Sequence, residues 1–470
     1  MIDAGAELVV RTLGFNLPCR QFIIGAQVTR DRRMPMVDEF VLRTLRLCER
    51  MSTRRLKGFF GFTELETQVV LADLRARSLV VLDEDRVSLH PSALEMFRTS
   101  ANGIPQIVEV EGWVNRLWFD LITKTMVSSP NLRQARTHIE LNRPAGEEGI
   151  EAEFAKDAFQ ANFRDYLRDV RKINSPDHLS LYAVTSVDPG RFSSAQLTAK
   201  QSLKLDPQPK IDLDLAFSGT AYPSKLRKLT DAVTSALQTH IDPPSSLAAR
   251  TEFARLCGTD AASISSETID LRRWIAEETL AKNDELQPFI GCSYLERNRK
   301  SFLNTIERLE KATKLTDADL VEALWFRPGG SLWGTSEDIR TFVSELRAGI
   351  RKRSGHNPTI NVTLVIPGSL QPSQRDQRRR FAATFDQGWL SPAGLISTGV
   401  EVLLVRGLAA MISTLLPLSV STDVWVGRIT TREADLDRLE KRIGWIAKGN
   451  RWSSMWSRRM GEIVSDQPAE

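Results

Sequence analysis

The chain has 470 residues, enough for roughly two to four domains. Apolar residues make up 41% and charged residues 26%, which excludes a disordered or low-complexity chain and fits a folded globular one. The net charge of +4 is too small for a surface of this size to imply nucleic acid by itself, so any polyanion contact must come from local patches.

Residues 1–33 carry the apolar runs LVVRTLGF and FIIGAQV and then the charged run TRDRR, read as a strand or helix followed by a solvated linker. In MPMVDEFVLRTLRLCER (34–50), Met36, Phe40, Leu42, Leu45 and Leu47 recur near helical spacing, with Pro35 suited to a first turn. Ser52 or Thr53 caps a short helix, Arg54 to Phe60, and Gly61 supplies the turn to the next. Thr63 and Glu66 form a capping box for a third helix, about Glu64 to Ser78, expected to bury Leu65, Val69, Leu71 or Ala72, and Leu74. LVVL (79–82) and RVSL (86–89) read as a hairpin with Asp83-Glu84-Asp85 at its tip, and PSALEMF (91–97) as a closing helix.

After the linker SANGIPQ (100–106), residues 107–217 read as β-rich with one inserted helix. Ile107 to Val127 and HLSLYAVTSVD (178–188) are strand-like. An acidic loop at 143–157 leads into a helix with the apolar stripe Phe159, Phe163, Tyr166, Leu167 and Val170. Tyr222 to Lys282 is mostly helical, broken at Asp242-Pro243-Pro244, and 293–313 is a charged helix with Glu296–Lys300 and Glu307–Lys311 pairs on its wet face. The last third alternates: Asp317 to Phe326 as helix or strand, the turn RPGG, and helix 338–352. Then come strand 360–368, helix 374–385, strand 400–405, a short helix 407–413, strands in 416–429 and helix 433–448. Such alternation predicts a parallel or mixed sheet flanked by helices. The whole reads as a mixed α/β, multidomain protein: an extension (1–33), a helical unit with a wing (34–99), a β-rich part (107–220), a helical region (221–315) and an α/β domain (316–470).

Helix, short helix, turn, helix and two-stranded wing over 34–97 resembles the winged helix-turn-helix superfamily. That resemblance implies a third helix in the major groove of duplex DNA and a wing on the backbone. The residues it would use are Arg54, Arg55 and Lys57 on the second helix, Thr63, Glu64, Thr67, Gln68, Arg75 and Arg77 on the third, and Arg86 on the wing. Gln68 suits adenine and the arginines suit guanine or phosphate. Glu64, Glu66 and the acidic wing tip oppose phosphate, and many winged helices dock proteins instead, so both partners remain open.

Order of elements in 317–448 resembles a phospholipase-D-like domain, on Phe326, Trp333 and Gly334, the strand INVTLVIPG, and DVWVG (423–427). The stretch where that family carries its HxK motif, about 411–422, reads MISTLLPLSVST and has neither His nor Lys. The resemblance therefore implies an inactive relative that keeps a phosphate-binding shape.

No catalytic set is assigned. GxxxxGK[ST], GxGxxG and HExxH are absent, and Gly329, Gly330 and Gly334 have no following Lys-Ser or Lys-Thr. Of His90, His138, His178, His240 and His356, His90 reads as a capping or surface group and His178 as exposed, while His138 and His240 each have a nearby carboxylate that would suit a general base but are not assigned as one. Cys19, Cys48, Cys257 and Cys292 lie far apart and read as free thiols, with no metal set and no cofactor. A second basic patch combines Arg375, Arg378, Arg379 and Arg380 with Lys448, Arg451, Arg458 and Arg459, interleaved with Trp452 and Trp456 for stacking on bases. No secretory leader or membrane span is read, which places the chain in the cytoplasm. The leading expectation is DNA binding without catalysis, duplex rather than single-stranded, within a larger assembly. The alternatives are a protein adaptor in a bacterial genome-defence or DNA-processing complex, and a metal-dependent nuclease of unrecognised type.

Overall fold

The computed structural model describes residues 7–98, 106–127, 132–143, 151–174, 176–204, 210–217, 223–240, 242, 245–258, 274, 285–419, 422–443 and 452–457. In chain order, β1 (Leu8–Arg33) precedes α1 (Met36–Cys48), β2 (Arg50–Ser52), α2 (Thr53–Phe60), α3 (Glu64–Ala76), β3 (Val80–Asp83), β4 (Arg86–Leu89) and α4 (Pro91–Arg98). Next come β5 (Gln106–Asp120), β6 (Met126–Val127), β7 (Ile139–Glu140), α5 (Glu151–Ala161), β8 (Leu179–Lys204), β9 (Lys210–Phe217), α6 (Pro223–Gln238) and α7 (Leu247–Cys257). The last part holds β10 (Leu286–Ile290), α8 (Glu296–Arg308), β11 (Leu320–Phe326), α9 (Asp338–Ser354), β12 (Thr359–Pro367) and α10 (Gln374–Phe381). It closes with β13 (Gln387–Ser391), β14 (Val400–Val405), β15 (Ala409–Ser419), β16 (Thr422–Thr430), α11 (Glu433–Ile443) and β17 (Ser453–Ser457). The mixed α/β class expected from the alternation is what the chain adopts.

The chain divides into two compact units. One holds Met1–Cys19, Asp120–Ala145 and Ser193–Glu470, the other Arg20–Phe119 and Gly146–Phe192. The long strands order as β6-β5-β1-β8-β9, with β7 pairing parallel to β1.

In the smaller unit, α1 to α4 and the sheet β2-β4-β3 enclose a core of Val41, Leu42, Leu45, Leu56, Leu71, Leu74, Val80, Val87 and Phe97. Ser52 caps α2, and Thr63 with Glu66 makes the reciprocal capping box of α3. Gly61, at φ +71°, takes the left-handed conformation that lets α2 stop after two turns. Two helices are turned differently from the expectation. α1 buries Asp38, Val41, Leu42 and Leu45 and exposes Met36, Phe40 and Leu47. α3 buries Thr67, Leu71 and Leu74 and exposes Leu65 and Val69. Each helix carries two apolar stripes at i, i+4 spacing, and periodicity alone does not say which one faces the core.

The larger unit is built on an eight-stranded mixed sheet, β10-β16-β15-β14-β11-β12-β13-β17. β11, β12 and β13 run parallel, and the remaining pairings are antiparallel. Alternate residues serve opposite faces. Trp325, Leu403 and Val405 join one core with Phe302, Phe342 and Phe381, while Leu324, Phe326, Val402 and Leu404 join another with Phe253, Leu436 and Leu439. Helices thus cover both faces, and the strands are near-continuous apolar runs for that reason.

Other expectations are corrected. TRDRR is not a linker but the end of β1. Residues 409–413, read as a short helix, belong to β15, because Gly407 at φ +68° turns the chain back and Ala409 to Thr414 pair with Val405 to Val400. Sheet pairing there overrides the helical preference of Leu-Ala-Ala-Met. β10, β13 and β17 were not foreseen, being short runs that only their neighbours in the sheet define. Pro243, Pro244 and residues 444–448 of the last expected helix lie outside the described residues.

Candidate interaction surface and buried charges

The residues named for DNA contact separate into three groups. Arg54, Arg55, Arg75 and Arg86 are exposed, as is Gln68. The antiparallel register sets Ser52 opposite Arg86, so Arg86 lies beside the start of α2, where Arg54 and Arg55 stand. Lys57 and Arg77 are engaged: Lys57 Nζ lies 2.6 Å from Glu64 Oε2, and Arg77 donates to Asp38 and to Asp73, the latter at 3.1 Å. Thr67 is a correction, since it is 4% exposed and its hydroxyl donates to the Thr63 carbonyl oxygen at 2.8 Å. Its place in the core follows from the turn of α3 described above.

Directly opposite the buried line of α3 lie Leu65, Val69, Ala72 and Ala76, all exposed, with Leu65 at 70% and Val69 at 60%. Gln68 and Arg75 flank this apolar line on one side, Glu66 and Asp73 on the other. Hydrogen bonds from Thr63 hold the Glu66 carboxyl below its ordinary range, so it is charged at neutral pH. Asp85 at the wing tip binds the Thr53 hydroxyl. Residues 34–98 contain ten basic and ten acidic side chains, so this unit has no net charge.

Of the second basic patch, Arg375, Arg378, Arg379, Arg380, Trp452 and Trp456 lie among the described residues. Arg375, Arg378 and Arg379 are exposed on α10, but Arg380 is half-buried and reaches the Thr137 carbonyl oxygen at 3.4 Å. Trp456 is buried in β17, packed over Gly388 of β13, with its Nε1 donating to the Phe385 carbonyl at 3.4 Å. Trp452 lies edge-on to Phe326, ring centres 6.3 Å apart. Both indoles are structural, because strand pairing and the sheet face claim them. Arg451, Arg458, Arg459 and Lys448 lie outside the described residues.

Glu401 and Arg327 are among the buried charges of the larger unit that were not named from the sequence. Glu401 is buried in β14 and accepts four hydrogen bonds: Trp325 Nε1, Trp333 Nε1 and Ser293 Oγ at 2.8 Å and Ser413 Oγ at 2.9 Å. Burial raises its pKa, and these four donors oppose the rise. An acid inside the apolar strand VEVLLV was the available signal. Arg327 follows β11 and is 6% exposed. Burial and the neighbouring Arg380 bring its pKa down to about 9.

All four cysteines are free. Burial pushes Cys19 up to about 12 and Cys292 up to about 11, so both are thiols at neutral pH. His90 bonds locally to Ser92 and His240 to the Ala236 carbonyl. Among the described residues, no three His, Cys, Asp or Glu side chains gather to hold a metal ion, and no helix is long and apolar enough to cross a membrane. Compared with models of known protein families and with curated proteins, the chain matches none of them.

Proposed function

We propose that this chain acts by docking onto a protein partner, and that residues 34–98 supply the docking module through the outer face of α3. The observation that carries this reading is the exposed line Leu65, Val69, Ala72 and Ala76 on a unit of zero net charge. Covering one exposed leucine or valine side chain is worth roughly 1.5–3 kcal/mol, which an apolar protein surface supplies and a major groove offers only at thymine methyls. Phosphates, conversely, attract a unit with a basic excess, and this one has none. Lys57 and Arg77, two of its ten cations, are already paired within the unit. The resemblance to winged helices is compatible with either partner, since fold does not fix function.

A second reading, duplex DNA, is favoured by one specific observation: Arg54, Arg55 and Arg86 gather at the capped N-terminus of α2, where backbone amides also favour an anion. The test is a photo-crosslinking residue at position 65 of the full chain in its native cells, with exposed position 383 as control. The docking reading expects a discrete protein adduct at 65, absent at 383 and lost with Val69→Asp. Duplex binding whose logarithm falls with log salt at a slope of about −3, abolished by Arg54→Glu with Arg55→Glu, would replace it with the DNA reading.

A further inference from the structure

We propose that the larger unit holds a tetrahedral oxyanion of the phosphate class between Arg327 and Arg380, at the carboxyl ends of the parallel strands β11 and β12. Arg327 directly follows β11, and Gln377 and Arg380 stand on α10, which follows β12. In open sheets, ligands settle at the carboxyl ends of parallel strands, where the connecting loops meet. Three loops meet here. Gly329 donates to the Thr398 carbonyl oxygen at 2.6 Å, a side chain on Gly329 would meet both Thr398 and Leu370, and one on Gly368 would strike the Ser391 carbonyl.

Arg327 spends its donors on neutral acceptors only: Gln377 Oε1 and the Gly330 carbonyl at 2.9 Å, and the Pro328 carbonyl at 3.3 Å. These bonds aim the guanidinium without neutralising it. Neither Arg327 nor Arg380 has a carboxylate within ion-pair distance among the described residues, and Asp376 acts on Arg380 only from farther away. A guanidinium keeps its proton at neutral pH, so a buried and a half-buried cation repel each other with no carboxylate to balance them. Arg380 reaches the Thr137 carbonyl oxygen, and the hydroxyl of the same residue is buried without a hydrogen-bond partner. A phosphate, with nearly two negative charges and strong acceptor oxygens, balances both arginines and takes the idle hydroxyl, whereas a carboxylate leaves one charge over.

Thermal unfolding and calorimetry of the intact chain test this, with inorganic phosphate against chloride at equal ionic strength. The wild type is expected to bind phosphate saturably, with a midpoint raised by several degrees. Arg380→Gln and Thr137→Val are each expected to weaken that binding at least tenfold. Two further arms, a nucleoside monophosphate and a short oligonucleotide, identify the source of the phosphoryl group by which binds tightest. Absence of a shift beyond that of chloride overturns the site. So does equal phosphate affinity in wild type, Arg380→Gln and Thr137→Val, and Thr137→Val keeps the test open should loss of the arginine prevent folding.

Discussion

The helical unit of residues 34–98 and the eight-stranded sheet place their polar chemistry in opposite ways. In the first, ion pairs and caps sit at the surface, and apolar side chains are left in water on α1 and α3. In the second, strands are sealed on both faces, yet a carboxylate and an arginine lie among aromatic rings. An exposed apolar line is a surface that a second body can cover, and a buried cation without a carboxylate is a charge that an ion can neutralise. Under the two proposals, the small unit meets a protein surface and the sheet an ion.

Substitution of Glu401 should cost the most stability. Glu401→Ala leaves four buried donors without an acceptor and should cost at least about 4 kcal/mol in urea unfolding. The sign of its pH dependence follows from the raised pKa. The folded protein holds this proton more tightly than the unfolded chain, so the contribution is complete below the ordinary glutamate pKa. It is lost as pH rises through the raised value. Glu401→Gln, which cannot ionise, should flatten that part of the stability–pH curve, and an unchanged curve would contradict the assignment.

A smaller effect is expected at the ion pair that fastens α3 to α1. Arg77→Ala exposes the nearly buried Asp38 to an unpaired state and should cost about 1–2 kcal/mol, read as a lower denaturation midpoint with unchanged m-value. Little stability is at stake on the outer face of α3. Leu65→Ala or Val69→Ala should change stability by less than about 0.5 kcal/mol while weakening partner docking, and a loss of 2 kcal/mol would mean that this line is core after all.

Much of the small unit was legible in the sequence. The Thr63–Glu66 box, Ser52 as cap, Gly61 as turn and the Asp-Glu-Asp hairpin tip are local signals, and the elements fall where those signals set them. The inward face of α3 was not legible, because Thr67 and Leu71 compete with Leu65 and Val69 for the core and only the neighbouring helices decide. Among the residues named for binding, Arg54, Arg55, Arg75 and Arg86 are exposed. Trp452 and Trp456 are drawn onto the body of the sheet, a contact between distant segments that no local pattern reveals.

Local sequence set the alternation of strands and helices, the helix caps and turns, and the absence of a net charge in residues 34–98, since each depends on neighbours within a few positions or on composition alone. Tertiary structure decided which stripe of an ambiguous helix faces inward. It also turned residues 409–413 into a strand and brought Trp325, Trp333, Ser293 and Ser413 onto Glu401 and Arg380 toward Arg327. These outcomes rest on contacts between residues up to about a hundred positions apart, whose energies exceed any local preference.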